Sequence, residues 1–319
     1  MPVITCIEDL RLLARRRVPR MFYDYADSGA WTERTYRANE ADFASILFRQ
    51  RVMGNLENRS TAVSMAGQPA TMPVAIAPVG LTGMQRADGE IHAARAAEKF
   101  GIPFTLSMMS ICSIEDIASH TKAPFWFQLY MMRDREAMVR MIARCKVAKC
   151  SALMVTVDLQ VPAQRHKDLK NGMTVPPRPT VGNILNLTSK LSWCWGMART
   201  YRRTFGNLVG HVQSVSNISS LSAWSSEQFD PRLSWQDIDW LRRPWCRRYR
   251  CQQPWRSGAR PRAVKHPGIA ADRRGGAGKH RSMDGWRHPY RSGHSQGVGA
   301  RRARHLDWPR HGVWPGCHG

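Results

Sequence analysis

Residues 124–159 read PFWFQLYMMRDREAMVRMIARCKVAKCSALMVTVDL. Two apolar runs, 124–131 and 151–159, flank a helix from about Arg133 to Lys149. Apolar runs of this length, bounded by polar residues, read as strands. Strands apolar at nearly every position are buried on both faces, as in a parallel sheet covered by helices. The alternation extends upstream. Residues 103–109, PFTLSMM, are a strand, and 113–120, SIEDIASH, a helix with Ser113 and Glu115 at its start. Residues 72–80, MPVAIAPVG, are a buried strand ending in Pro and Gly, and 87–101, ADGEIHAARAAEKFG, a helix that stops at Gly101.

Four strand–helix units in a row make the chain α/β. Either a doubly wound sheet or a (β/α)8 barrel satisfies that pattern. The strands end in polar or special residues: Pro78, Ser107, Gln128 with Tyr130, and Thr156 with Asp158. Function at the C-terminal strand ends suits both architectures. No GxGxxG follows the first strand and no GxxxxGK[ST] occurs, which disfavours dinucleotide and P-loop nucleotide binding. Residues 7–17, 19–28 and 33–47 read as N-terminal helices, with Pro19 in a first turn where a helix tolerates it. Residues 160–230 read as one long mobile connection. Within it, LSWCWGMARTYRRTF (191–205) mixes aromatic and basic residues. It reads either as a solvated loop with a partial helix or as a peripheral membrane contact.

The chain has 319 residues and is 43% hydrophobic, with a net charge of +24. The charge is uneven. Residues 246–319 hold 15 Arg and 2 Lys against 3 Asp and no Glu, a net +14, leaving +10 for residues 1–245. That tail also holds 7 of the 11 His and 12 of the 24 Gly, with five Ile, Leu or Val and no Phe. Such a composition cannot bury enough apolar surface to offset its ordering entropy, so disorder is expected there. The eight Cys are scattered, Cys145 and Cys150 form no CxxC pair, and neither a disulfide framework nor a metal site is expected. No N-terminal apolar run suggests a signal peptide, and no stretch approaches the roughly 18 apolar residues of a membrane span. A cytoplasmic setting follows as the expectation, with contact at the inner face of the membrane if 191–205 docks there.

YDYADSGAWTERTYRAN, MPVAIAPVGLTGM, GIPFTLSMMSICSIEDIA, FWFQLYMMRDR, MVTVDLQVPAQRHKD and SEQFDPRLSWQDIDWL follow one another at plausible spacing. Together they resemble the FMN-dependent 2-hydroxy-acid dehydrogenases, most of all the bacterial respiratory L-lactate branch, over residues 1 to about 245. The resemblance implies a (β/α)8 TIM barrel, here incomplete, with FMN at its C-terminal mouth. It implies an (S)-2-hydroxy acid such as L-lactate as substrate, a respiratory electron acceptor, and homo-oligomers for an intact parent. It assigns FMN to Pro78, Val79, Gly80, Ser107, Gln128 and Thr156, and substrate to Tyr25, Tyr130 and Arg165. An arginine suits a carboxylate because its guanidinium is a planar two-pronged donor. His166 is not taken as the base, because the family's base comes from a later segment.

The family pattern needs more. A fifth strand supplies a lysine for the reduced flavin. A Ser-Asn-His-Gly-Gly-Arg motif after the sixth supplies the base and a second carboxylate-binding arginine. Gly-rich turns then bind the FMN phosphate. None of these follows Trp245. Residues 252–257, Gln-Gln-Pro-Trp-Arg-Ser, can be written cag caa cca tgg cgg tcg g. Without its first base that string reads Ser-Asn-His-Gly-Gly-Arg. Tryptophan has one codon, so Trp255, Trp286, Trp308 and Trp314 each become Gly in the shifted frame, where the family pattern has Gly. The tail therefore reads as family sequence out of frame, and the expected catalytic His is lost. Loss of activity is expected, as are aggregation and bare edges on the first and fourth strands. The alternative is a non-enzymatic half-barrel whose basic tail binds nucleic acid through phosphates. Scarce Lys and absent Glu fit GC-rich DNA read out of frame better than a selected basic arm.

Overall fold

The computed structural model describes residues 3–158, 163–173, 180–211, 227–228, 230, 232–246 and 311–315. The chain divides into two compact units, Met1–Cys251 with Pro309–Gly319, and Gln252–Trp308. The second unit, and with it most of the tail expected to be disordered, lies outside the described residues.

Three helices come first: α1 (Ile7–Arg17), α2 (Arg20–Ala26) and α3 (Arg34–Ala44). Helix α1 carries Glu8 and Asp9 in its first turn and Arg15, Arg16 and Arg17 in its last, each sign matched to the helix dipole. A hairpin follows, β1 (Val63–Met65) with β2 (Gln68–Ala70). Then come α4 (Thr82–Gln85), α5 (Gly89–Phe100), β3 (Thr105–Ser107), α6 (Ile114–His120), β4 (Trp126–Tyr130), α7 (Arg135–Val147) and β5 (Ala152–Thr156). Gly101 ends α5 at φ 69, the left-handed cap that glycine tolerates best. The Ser113 side chain accepts from Asp116 N while the Asp116 side chain caps Ser113 N, so α6 starts with reciprocal bonds. Beyond β5 lie α8 (His166–Lys170), α9 (Val181–Thr188), α10 (Leu191–Arg199), α11 (Trp235–Cys246) and β6 (His311–Pro315).

Strands β3, β4 and β5 are parallel neighbours, with Ser107 opposite Gln128 and Tyr130 opposite Thr156. Alternation along a strand divides their side chains between two faces. Leu106, Phe127, Leu129, Leu153 and Val155 join Ile114, Ile117, Met138, Ile142, Leu241 and Trp245 in the helix-covered core. Trp126, Ala152 and Met154 occupy the other face, where Met65, Ala66 and Ala75 pack on them. The hairpin is bonded there through Gln68, whose Nε2 donates to Pro124 O at 3.2 Å and whose Oε1 accepts from Ser151 Oγ at 3.0 Å. The C-terminal half of that same face carries Gln128, Tyr130 and Thr156.

The barrel is partial: no closed barrel forms among the described residues. Three expectations need correction. The strand read over 72–80 is reduced to one parallel bridge between Ile76 and Phe104, and Met72, Val74 and Val79 are exposed rather than buried. Pro73 and Pro78 have no N–H for a ladder, and Ile76 is bonded on one side, to Pro103 O and Thr105 N. The edge of the fourth strand is not bare: β6 pairs with β5 antiparallel, from Ala152 opposite Pro315 to Thr156 opposite His311. The connection read over 160–230 contains α8, α9 and α10. Phe22 stacks on Trp193 at 5.6 Å, and Trp193 Nε1 donates to Met84 O at 2.7 Å, so α10 is fastened to α2 and α4.

Candidate functional site

At the C-terminal ends of β3, β4 and β5, three buried polar side chains form one line. Ser107 Oγ donates to Gln128 Oε1 at 2.9 Å, and Gln128 Nε2 donates to Thr156 Oγ1 at 2.9 Å. Gln128 is 1% exposed, so each atom of its amide is spoken for by a neighbouring strand end. Ser107 Oγ also accepts from Met109 N at 3.2 Å. The bend after β3 thus turns around the same serine.

The stretch that ends at Gly80 joins this line through Met109, whose carbonyl accepts from Leu81 N at 3.1 Å. Gly80 itself is hemmed in. A Cβ there would sit 3.2 Å from Tyr25 Oη and 3.4 Å from Met109 O. Pro78 is half-buried, Val79 is exposed, and Val79 O accepts from Thr82 Oγ1 at 3.1 Å.

Tyr25, on α2, faces Gly80 from the other side. The Arg165 guanidinium lies over its ring, 4.9 Å from the centroid. Burial pushes the Tyr25 hydroxyl above its ordinary range, and Arg165 pulls it partly back. Burial, then Tyr25 and Asp158, push Tyr130 up to about 12. Both phenols therefore stay protonated, able to donate a hydrogen bond over the neutral range. Tyr25, Tyr130 and Arg165 lie together beside the strand-end line. Arg165 differs in one respect. Its Nη2 is already engaged, donating to Tyr25 O and to Ser28 Oγ at 2.8 Å, while Nε lies 3.1 Å from an Asp168 oxygen without a hydrogen bond. It fastens the end of α2 to the loop before α8. Burial raises the Asp168 carboxyl despite that arginine. His166 is exposed and meets the edge of Trp31 at 5.7 Å, apart from this wall.

Two buried residues that shape the site have no signal in the sequence. Asn207 is fully buried. Its Nδ2 donates to Ser110 Oγ at 3.0 Å and its Oδ1 accepts from Ile114 N at 2.9 Å, so it pins the β3–α6 turn from 93 residues away. Glu90 is 2% exposed, and its Oε1 accepts from Gly83 N at 2.9 Å and Ile111 N at 3.0 Å. Glu90 sits in a first helical turn, where an acid looks ordinary. Gly83 leaves it room: a Cβ at Gly83 would lie 2.6 Å from Ile111 Cβ. Among the described residues no cluster of His, Cys, Asp and Glu could hold a metal ion.

The sequence model of the FMN-dependent dehydrogenases matches residues 14–249. An L-lactate dehydrogenase of Caulobacter sp. (strain K31) is 40% identical over 244 residues, covering 76% of this chain and 64% of that enzyme. An L-lactate dehydrogenase of Chromohalobacter salexigens is 40% identical over the same length, covering 76% of this chain and 62% of that enzyme. The crystal structure of (S)-mandelate dehydrogenase, a monotopic membrane protein, superposes with a TM-score of 0.71 at 31% identity, covering 76% of this chain and 65% of that one. The chain therefore spans just under two thirds of the length of the relatives it matches. With a family match across most of its length, the chain belongs to the FMN-dependent dehydrogenase family.

Proposed function

We propose that residues 1–245 carry the flavin-ring half of a 2-hydroxy-acid dehydrogenase site, and that L-lactate is the substrate of the intact enzyme. The observation that carries this reading is the line Ser107–Gln128–Thr156, buried at three strand ends beside Gly80, with Tyr25, Tyr130 and Arg165 around it. These residues fit a flat, hydrogen-bonding ring. The line offers donors and acceptors along one edge, and Gly80, lacking a Cβ, lets main chain approach closely. Pro78, Val79, Gly80, Ser107, Gln128 and Thr156 would hold FMN. When bound, FMN supplies the two-electron acceptor. Tyr25 and Tyr130 would donate hydrogen bonds to the substrate's carboxylate or hydroxyl oxygen. Arg165 would have to exchange its present bonds for the carboxylate.

The base is the missing part. A positioned base contributes about 10²–10⁴-fold. No Ser-Asn-His-Gly-Gly-Arg motif follows Trp245, and the out-of-frame reading of 246–319 accounts for its loss. In this reading the 319-residue chain does not oxidise L-lactate. The purified chain, mixed with FMN and L-lactate without oxygen, is expected to leave the flavin colour unchanged. Bleaching would refute the reading. The gene sequence over codons 246–319, read in all three frames, tests the cause separately.

Contact with a membrane surface belongs to the same proposal. No helix among the described residues is long and apolar enough to cross a membrane. Helices α9 and α10 expose Val181, Ile184, Leu185, Leu191 and Trp195, and Arg199 lies 4.4 Å from the centroid of the Trp195 ring. Exposed apolar residues interleaved with cations suit a peripheral seat on anionic lipid. Sedimentation with phosphatidylglycerol vesicles, and none with phosphatidylcholine vesicles, is the expected result.

A further inference from the structure

A cavity of about 750 Å³ lies apart from the strand-end line, between α1, α4, the start of α5 and α10. Its volume is that of a small-molecule site. The apolar part of its wall is Leu10, Leu13, Val18 and Trp193. Helix α1 shows why this space matters: none of its residues is buried, and Leu10 remains 50% exposed. Its apolar face lines the cavity instead of closing against a neighbour.

The polar part of the wall is cationic. Arg17, Arg86 and Arg199 line it against one carboxylate, Asp88. That carboxylate is already engaged, accepting from Arg202 Nη1 at 3.0 Å and Thr200 Oγ1 at 2.9 Å. Arg199 lies on Trp195. Arg17 and Arg86 make no ion pair or side-chain hydrogen bond among the described residues.

We infer that this cavity binds an alkyl carboxylate, with the chain against Leu10, Leu13, Val18 and Trp193 and the carboxylate accepting from the Arg17 and Arg86 guanidinia. Two cations with no carboxylate partner among the described residues select an anionic head. The apolar wall selects a hydrocarbon body over a free inorganic anion. The inference does not rest on the hydroxy-acid reading, since none of the residues placed at the flavin wall lines this cavity.

Decanoate tests it, with decanol and inorganic phosphate as the neutral and the chain-free comparisons. Saturation-transfer NMR and calorimetry on the full chain are expected to find decanoate bound and the other two weaker by about tenfold or more. Gly196 offers a block: a Cβ there would lie 3.6 Å from Ala87 Cβ in ordinary contact, so Gly196→Ala fits while Gly196→Leu extends into the space. Loss of binding in Gly196→Leu but not Gly196→Ala supports the site. A drop of about tenfold in Arg17→Gln with Arg86→Gln, with decanol unchanged, supports the carboxylate's place. Decanoate and decanol binding the unsubstituted chain equally, or decanoate not binding at all, overturns it.

Discussion

Gln128 joins three strands with one amide. Its Oε1 accepts from Ser107 and its Nε2 donates to Thr156. Leucine is of similar size and offers neither group, so Gln128→Leu leaves the Ser107 O–H without its acceptor and Thr156 Oγ1 without its donor in a buried place. The expected cost is about 1–3 kcal/mol, read as a lower urea midpoint at unchanged slope. A loss below that range would mean that the hydroxyls find other partners. Tyr130 gives a second residue-scale test. Burial, Tyr25 and Asp158 hold its hydroxyl at about 12, against an ordinary 10. The unfolded chain thus releases this proton at lower pH than the folded one. The stability Tyr130 contributes is intact below pH 10 and drains as pH rises towards 12. Tyr130→Phe should flatten the alkaline limb of a stability–pH curve over that window, and an unchanged limb would count against the burial. The sequence made both residues legible because they stand in a strand whose neighbours fix its register. Glu90 and Asn207 were hidden because their partners lie across chain turns that no spacing rule reaches.

Helix α7 is tied to α6 by a two-pronged ion pair. Arg144 Nε and Nη2 each lie 2.7 Å from a Glu115 oxygen, and Arg144 Nη1 donates to Asn207 O at 3.0 Å. The Arg144 bonds draw the Glu115 carboxyl down from 4.5 to about 2, against some burial. A lowered carboxyl contributes stability above its unfolded value and loses it as pH falls through the folded one. The window here is pH 4.5 down to about 2. Glu115 is 57% exposed, so screening keeps the effect under about 1 kcal/mol. Glu115→Gln should make the acid limb of stability shallower in that window while shifting neutral stability little. A limb as steep as before would show that other carboxylates carry it. The boundaries of α1, α5, α6 and α7 were legible because caps and apolar spacing agree there. The strand over 72–80 was not, because an apolar run records what a residue prefers and not whether a neighbouring strand is present. Residues 72–80 have Phe104 on one side, and only Ile76 makes the bridge. The helices within 160–230 were hidden by Trp and Asn, whose weaker helix propensities left tertiary contacts such as Trp193 on Phe22 to decide.

A parallel sheet is stable when both faces and both edges are covered. In this molecule the helix face is covered, and the hairpin covers the lower half of the other. Thr105 Oγ1 and Trp126 Nε1 are buried without hydrogen-bond partners, a cost carried by an incomplete enclosure. The β3 side is flanked by the single Ile76 bridge, and Phe43, Ile46, Leu47, Phe48, Val52 and Met53 are exposed in the N-terminal segment. Such a surface favours association between chains. The far edge is in a different condition, since β6 pairs with β5 along its whole length. An antiparallel strand at the edge of a parallel sheet is held by backbone bonds, which depend little on side-chain identity. This gives the last prediction. Removing 309–319 uncovers the N–H and C=O groups of β5 and should move the chain towards larger assemblies in concentration-dependent light scattering. Val313→Pro, opposite Met154, places a proline inside the ladder with the length kept, and should shift it the same way by less. If both variants scatter like the full chain, β6 does not guard that edge, and self-association is set by the β3 side and the exposed 43–53 segment alone.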